Sequence, residues 1–394
     1  MATTRKWLGV IIAALITLPG LALRLGLYHT SPAAEAVIYG VAIIGAAFML
    51  SWAAEVFQLD VSQGLALAML ALIAILPEYV VDATFAWKAA HDPAQAALAI
   101  ANMTGANRIL IGIAWPLVVF IGWARWRQRR VELEPGHGLE LVVLLVATVY
   151  AVIIPLKHSI SLIDMVVLGA IFAFYIWRLS RLPAEPPHLI GPAETIGGLP
   201  TVPRRIVTAA LALGAAVAIL AVAEPFAEAL IHTGTEFGID EFLLVQWLAP
   251  LASEAPEFVV VSIFAWRGAS GAAMGTLVSS KINQWTLLVG MLPLVYGISL
   301  GAASPLPLGG RQQHELYLTV AQTFFAVALM LDLRLHWYGA AMLFGLFVAG
   351  FVWPDHHMAL AGVYVALAVV AVVVQRQGIR EALRHVRGMF GQVT

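Results

Sequence analysis

An all-α polytopic membrane fold, built as an inverted repeat of two five-helix units with one extra helix at each end, follows from three observations on this chain. Hydrophobic residues make up 61% of its 394 residues and charged ones only 11%, against about 25% charged in a soluble domain. Apolar runs of about 20 residues, the length that crosses a bilayer, recur along nearly the whole chain. An unusual Pro-Glu pair inside such a run occurs twice, at Pro77-Glu78 and Pro256-Glu257.

Twelve spans are read, at 7–27, 34–56, 62–87, 94–123, 139–156, 160–178, 205–231, 240–266, 270–300, 314–332, 336–354 and 357–375. The first follows Arg5-Lys6 and reads either as a retained helix or as a cleaved signal peptide. Basic residues test the layout, because short cytoplasmic loops concentrate Lys and Arg. With the N-terminus inside, sixteen of the 22 basic residues fall on the cytoplasmic side and four (Arg24, Lys88, Lys157, Arg311) outside, leaving Arg108 and Lys281 within spans. A wrong span count would scramble that bias, so both termini are expected in the cytoplasm.

The Pro- and Gly-rich stretch 179–204 reads as a cytoplasmic linker between halves 34–178 and 205–354. Residues 1–33 and 355–394 are additions, the latter ending in a basic amphipathic tail from Gln375 suited either to a membrane surface or to a solvated helix end. Absence of cysteine excludes disulfides and thiolate metal sites. The compact chain without large soluble insertions points to a bacterial inner membrane. Membrane lipid and inorganic cations are the expected partners, with no nucleic acid and no cofactor.

Each Pro-Glu pair is anomalous twice over. Proline at position i removes the bond to the carbonyl at i−4, which would free the oxygens of Ile73 and Ala252. A glutamate at bilayer depth is costly unless it faces a cavity or a partner, and so marks a functional site. After each Pro-Glu helix comes a second helix rich in small and polar residues. The first carries Ala99-Ile-Ala-Asn102-Met-Thr-Gly105-Ala106-Asn107-Arg108, the second Ala273-Met-Gly275-Thr276-Leu-Val-Ser279-Ser280-Lys281-Ile-Asn283. Five spans per half is odd, so the second half is inverted relative to the first, and the site of such a repeat belongs at the midplane where broken helices meet.

Two Pro-Glu helices, each followed by a helix of this form, resemble the alpha repeats of the cation/calcium exchanger superfamily, the sodium/calcium and calcium/proton exchangers. The run Ala223-Glu-Pro-Phe-Ala-Glu-Ala-Leu and then Gly238-Ile-Asp-Glu-Phe resembles the segment leading into that family's second Pro-Glu helix. The resemblance is strong over spans 2–4 and 7–9 and topological elsewhere. It implies a ten-helix core, four central helices around the ions, two long sliding helices (spans 2 and 7), and antiport by alternating access.

The chemistry fits that implication, because a hard divalent cation takes several oxygens, with carboxylates supplying charge and neutral groups completing the shell. Glu78 and Glu257 would supply the charge, with Asp82 at i+4 and Glu254 at i−3 on the same helix faces. Asn102, Thr276, Ser253 and Ser280 are the neutral candidates. Departures matter equally: the hydroxyls usual before Leu-Pro-Glu are Ala74 and Ile75 here, which removes sodium ligands, and Ala106 stands for a serine. Lys281 replaces a family asparagine, as a stand-in for a transported cation, a proton carrier, or a fixed counter-ion to Asp82 or Glu254; Arg108 reads as structural. Glu315 and Asp164 are expected near the outer boundary, and the scattered histidines predict no transition-metal cluster. The expected function is a non-enzymatic antiporter exporting calcium or a similar divalent cation against sodium or protons. A monovalent cation/proton antiporter using Lys281, or a non-transporting binding protein on the same scaffold, are the alternatives.

Overall fold

The computed structural model describes residues 2–60, 75–133, 137–181, 189, 191–239 and 244–375, without the side chains of 2–6, 77, 227, 249, 252, 255 and 256. Its helices run α1 (Ala2–Arg24), α2 (Pro32–Phe57), α3 (Leu76–Ala89), α4 (Pro93–Ile109), a π turn (Leu110–Ala114) and α5 (Trp115–Trp126). After strand β1 (Arg130–Glu132) come α6 (Gly138–Ala151), α7 (Ile153–Leu156), β2 (Ser159–Ile160), α8 (Leu162–Leu179), α9 (Pro192–Gly197) and α10 (Thr201–Glu236). A second π turn (Leu244–Leu248) leads into α11 (Ala249–Ser253), α12 (Ala255–Trp266) and α13 (Ser270–Asn283). A third (Gln284–Leu288), α14 (Val289–Leu300), β3 (Leu306–Pro307), α15 (Gly310–Leu329), β4 (Arg334–His336), α16 (Trp337–Val352) and α17 (His357–Val374) complete the order.

Every predicted span coincides with helix over its described residues; residues 62–74 of the third, among them Ile73 and Ala74, residues 240–243 of the eighth and the tail beyond Gln375 lie outside them. Helix starts are set locally. Pro32, Pro93 and Pro192 occupy the first turns of their helices, where a missing N–H costs nothing. Asp92 caps α4 by accepting from Ala94 N at 3.0 Å.

The chain divides into two compact units. The first comprises residues 1–84 and 176–260, the second 85–175 and 261–394, so α3 contributes to both. In the first unit the two long helices α2 and α10 pack along each other, with α1 against them. Ile43, Val222 and Ala46 are fully buried in that seam, and Tyr39 and Leu23 nearly so. Close approach depends on small residues, as in membrane bundles generally. A Cβ on Gly45 would lie 2.6 Å from the Ala13 carbonyl oxygen. At 36 residues α10 is about 54 Å long, well beyond a bilayer's hydrocarbon core. The stretch expected to be a plain linker carries α9, whose Ala193 and Ile196 are fully buried against Val56. Asp60, just after α2, receives Arg204 and Arg205 from the start of α10, each at 2.9 Å.

The second unit holds two features absent from the sequence reading. β1 pairs antiparallel with β4, Val131 opposite Leu335, and β2 pairs antiparallel with β3, Ile160 opposite Leu306. Each clip joins the connection after the third span of one half to that after the fourth span of the other. The β1–β4 clip unites connections that the basic-residue bias assigns to one side, and the β2–β3 clip unites two assigned to the opposite side. An odd miscount among the spans between the paired connections would have joined connections from opposite sides.

Candidate functional site

In the first unit both Pro-Glu pairs sit at a helix restart. The chain turns at Ile75 and α3 begins Leu76-Pro77-Glu78; it turns at Glu254 and α12 begins Ala255-Pro256-Glu257. Proline thus falls where no intrahelical donor is required, and each glutamate falls in the first turn, where the positive end of the helix dipole favours a carboxylate. Break and acid recur in the same order in both halves.

Burial makes these acids functional candidates. Glu78 is 1% exposed, Glu257 3%, Asp82 0% and Glu254 2%. Carboxylates so removed from water are tolerated only with compensation by a cation or by several donors. Ser253, 6% exposed, ends α11 with its hydroxyl donating to the Pro250 carbonyl at 3.1 Å. Among the described residues, no three His, Asp or Glu side chains converge in an arrangement that could hold a metal ion.

In the second unit the two motif helices share one irregularity. α4 passes into the π turn 110–114 and α13 into the π turn 284–288, at equivalent positions of the repeat. π turns inside α-helices cluster at functional sites. In the first half the cause is visible: Pro116 has no N–H for Gly112, and the Trp115 N–H reaches back to the Leu110 carbonyl instead. In the second, the Thr286 hydroxyl bonds the Ile282 carbonyl at 2.6 Å, a back-bond that bends helices.

One turn ahead of these irregularities lie the charged motif residues. Lys281 is fully buried; its ammonium donates to Asn107 Oδ1 at 2.5 Å and to the Asn107 carbonyl at 3.3 Å, and lies 4.5 Å from the Trp285 ring centroid. Asn107 and Lys281 occupy equivalent places in the two motifs, so the repeats meet at like positions. Arg108 pairs with Glu315 at 2.5 Å, and Glu315 also contacts His357 Nδ1 at 2.9 Å. Glu315 lies in the second turn of α15, yet is 2% exposed. Asp164, fully buried at the start of α8, receives the Lys157 ammonium and Tyr150 OH.

Of the remaining ligand candidates, Asn102 and Ser280 are fully buried on α4 and α13. Thr276 is half-buried, with its hydroxyl turned back to the Ala272 carbonyl at 3.0 Å. Sequence reasoning missed Glu140, which is 2% exposed and accepts from Tyr175 and Ser279, both at 3.1 Å, with His137 Nδ1 at 2.6 Å. Its signal was available: His137 and Glu140 stand at i, i+3 where the fifth span opens.

Repeated helix breaks with buried acids, in a frame of membrane-length apolar helices, are the architecture of secondary transporters. The profile of the sodium/calcium exchanger protein family matches this chain twice, over residues 34–181 and 207–353, and the chain belongs to that family. It is an integral membrane protein of the cation/calcium exchanger superfamily, and cation antiport is its class of activity. Among solved structures, the H+/Ca2+ exchanger CAX is 39% identical with a TM-score of 0.92, over 99% of this chain and 100% of that one. Two others share the fold at lower identity. YfkE is 17% identical with a TM-score of 0.62, over 90% of this chain and 100% of its own. The sodium-calcium exchanger NCX_Mj is 18% identical with a TM-score of 0.56, over 80% and 98% respectively. No curated protein sequence matches the chain.

Proposed function

We propose that this protein exports calcium, or a similar divalent cation, in exchange for protons by alternating access. One observation carries the reading: Glu78 and Glu257, both buried, each open a helix after a break at corresponding points of the two halves. In this reading they carry the cation's charge, Asp82 and Glu254 add to it, and Ser253, Asn102, Thr276 and Ser280 supply neutral oxygens, the last three on the family pattern alone. Protons are favoured over sodium as the counter-ion by the apolar Ala74 and Ile75 where sodium-coupled relatives carry hydroxyls. The similarity to an H+/Ca2+ exchanger supports the same choice. The working halves are 34–178 and 205–354, joined by 179–204, with 1–33 and 355–394 as additions. Both termini face the cytoplasm of a bacterial inner membrane.

Reconstituted vesicles test this directly. Calcium uptake should follow an imposed pH gradient, a sodium gradient should drive less, and Glu78→Gln or Glu257→Gln should each abolish uptake. Unchanged flux in both variants removes the reading. A monovalent cation/proton exchanger is the second reading, favoured by one observation: Lys281 is a permanently tethered, fully buried cation on a motif helix. Calcium-independent sodium or potassium exchange in the same vesicles would select it.

A further inference from the structure

Within the second unit, side chains from three helices and from the residue that precedes one of them meet at the end that carries Arg125, Arg127, Arg129 and Arg130. His137 precedes α6 and places Nδ1 2.6 Å from Glu140 Oε2. Tyr175 on α8 and Ser279 on α13 each donate to Glu140 Oε1 at 3.1 Å, and their two hydroxyl oxygens lie 2.9 Å apart. The imidazole rests on bare backbone, since a Cβ on Gly275 would lie 2.5 Å from His137 Cε1. Gly275 and Ser279 stand at i, i+4 on one face of the motif helix, so both members of the His137–Glu140 pair grip that face.

We propose that His137 and Glu140 form a proton-binding pair whose protonation loosens the hold on α13, coupling proton uptake at the basic end to movement of the helix that bears Ser280 and Lys281. This rests on the proton-coupled reading above and adds a proton site separate from Glu78 and Glu257. A packing staple would be complete with the two hydroxyls on the carboxylate. The imidazole adds the side chain that titrates nearest neutrality. It is also the route to water: the His137 side chain is 16% exposed, while Glu140, Tyr175 and Ser279 are 2%, 1% and 3% exposed.

The step conserves charge and atoms. Imidazole takes a proton from water on Nε2 and passes the Nδ1 proton to Glu140 Oε2, which leaves neutral imidazole and a neutral carboxyl group. The bonds from Tyr175 and Ser279 then change from charge-assisted to neutral, which about halves their strength. Among the described residues, His137 and Tyr175 are the titratable groups bonded to Glu140. Of the other elements packed against α6, the π turn 284–288 and α7 contain no titratable residue, and those of α15 (Arg311, His314, Glu315, Tyr317) lie in its first two turns.

The test is calcium uptake into vesicles driven by a pH gradient, with pH varied on the side of the basic end, for wild type, Glu140→Gln and His137→Gln. Calorimetric calcium titrations in two buffers of different ionisation enthalpy count the protons released. Both variants should lose on the order of tenfold or more in proton-driven rate and should flatten the pH profile on that side. Calcium binding should persist, with fewer protons released per ion. Gly275→Ala, which pushes the ring aside, should act in the same direction. Loss of calcium binding together with transport in both variants would mean a structural staple and overturn the proposal. Wild-type rate and pH profile in both would overturn it alone. Absence of proton-driven uptake in wild type would instead remove the parent reading, and this one with it.

Discussion

Replacing Glu315 by glutamine removes the carboxylate that sits 2.5 Å from the Arg108 guanidinium, where the two side chains are 3% and 2% exposed. Water cannot take over the lost charge at that depth. Deleting one member of a buried ion pair costs about 3–5 kcal/mol, because the remaining ion keeps its desolvation penalty. At roughly 2–4 °C per kcal/mol, the midpoint of thermal unfolding should fall by on the order of 10 °C. The assay is the melting midpoint of detergent-solubilised protein, followed by aggregation or intrinsic tryptophan emission. Arg108→Met with Glu315→Met should recover most of the loss, since neither charge then remains to be solvated, and the double-mutant cycle isolates the pair. Glu315→Gln melting like wild type would refute the reasoning and return Arg108 to the pool of functional charges.

Three further outcomes are expected. Arg205 first, then Arg204, holds the Asp60 carboxyl below the usual carboxylate range. A depressed folded-state pKa gives stability that is complete above the unfolded value of about 3.9 and is lost as pH falls through the folded one. Melting of Asp60→Asn should therefore trail wild type by a near-constant amount from neutral pH down to about 5 and converge with it in stronger acid. The partly exposed pair limits that gap to about 1 kcal/mol. The cysteine-free chain allows a clean test of the β1–β4 clip: Val131→Cys with Leu335→Cys faces two residues across an antiparallel register and should oxidise to a gel-resolvable disulfide. Asn107→Leu removes the side-chain acceptor at 2.5 Å from the Lys281 ammonium and should destabilise the fold by about 1–3 kcal/mol in the same melting assay, with Lys281→Met restoring it.

Glu78 and Glu257 are conspicuous in sequence because proline and an acid both conflict with an apolar span, and because the conflict is repeated. The helical frame is legible for a similar reason, since span length and basic-residue bias are one-dimensional properties. Partnership is different. Arg108 and Glu315 are 207 residues apart, and nothing local in either helix says that they meet. Lys281 and Asn107 are aligned by the repeat, yet their contact depends on how closely two helices approach. Glu140 looks like an ordinary interfacial residue at the start of its span until Tyr175 and Ser279 close over it. The β clips involve two or three residues each, too few to register as strands in any periodicity. Thr276 offers an oxygen on the motif helix, and only its rotamer turns that hydroxyl back to the Ala272 carbonyl.

The two clips obey one rule twice: the connection after the third span of either half binds the connection after the fourth span of the other. Reciprocal contacts of that kind are what a two-fold axis produces between identical subunits, where patch i meets patch j and j meets i. The direct bond between Asn107 and Lys281, like positions of the two motifs, is the contact expected on such an axis. In this respect the chain is a dimer of its own halves, and the covalent link between them raises their effective concentration for each other. Residues 1–181 and 191–394, produced as separate polypeptides, should then find each other in the membrane and co-purify.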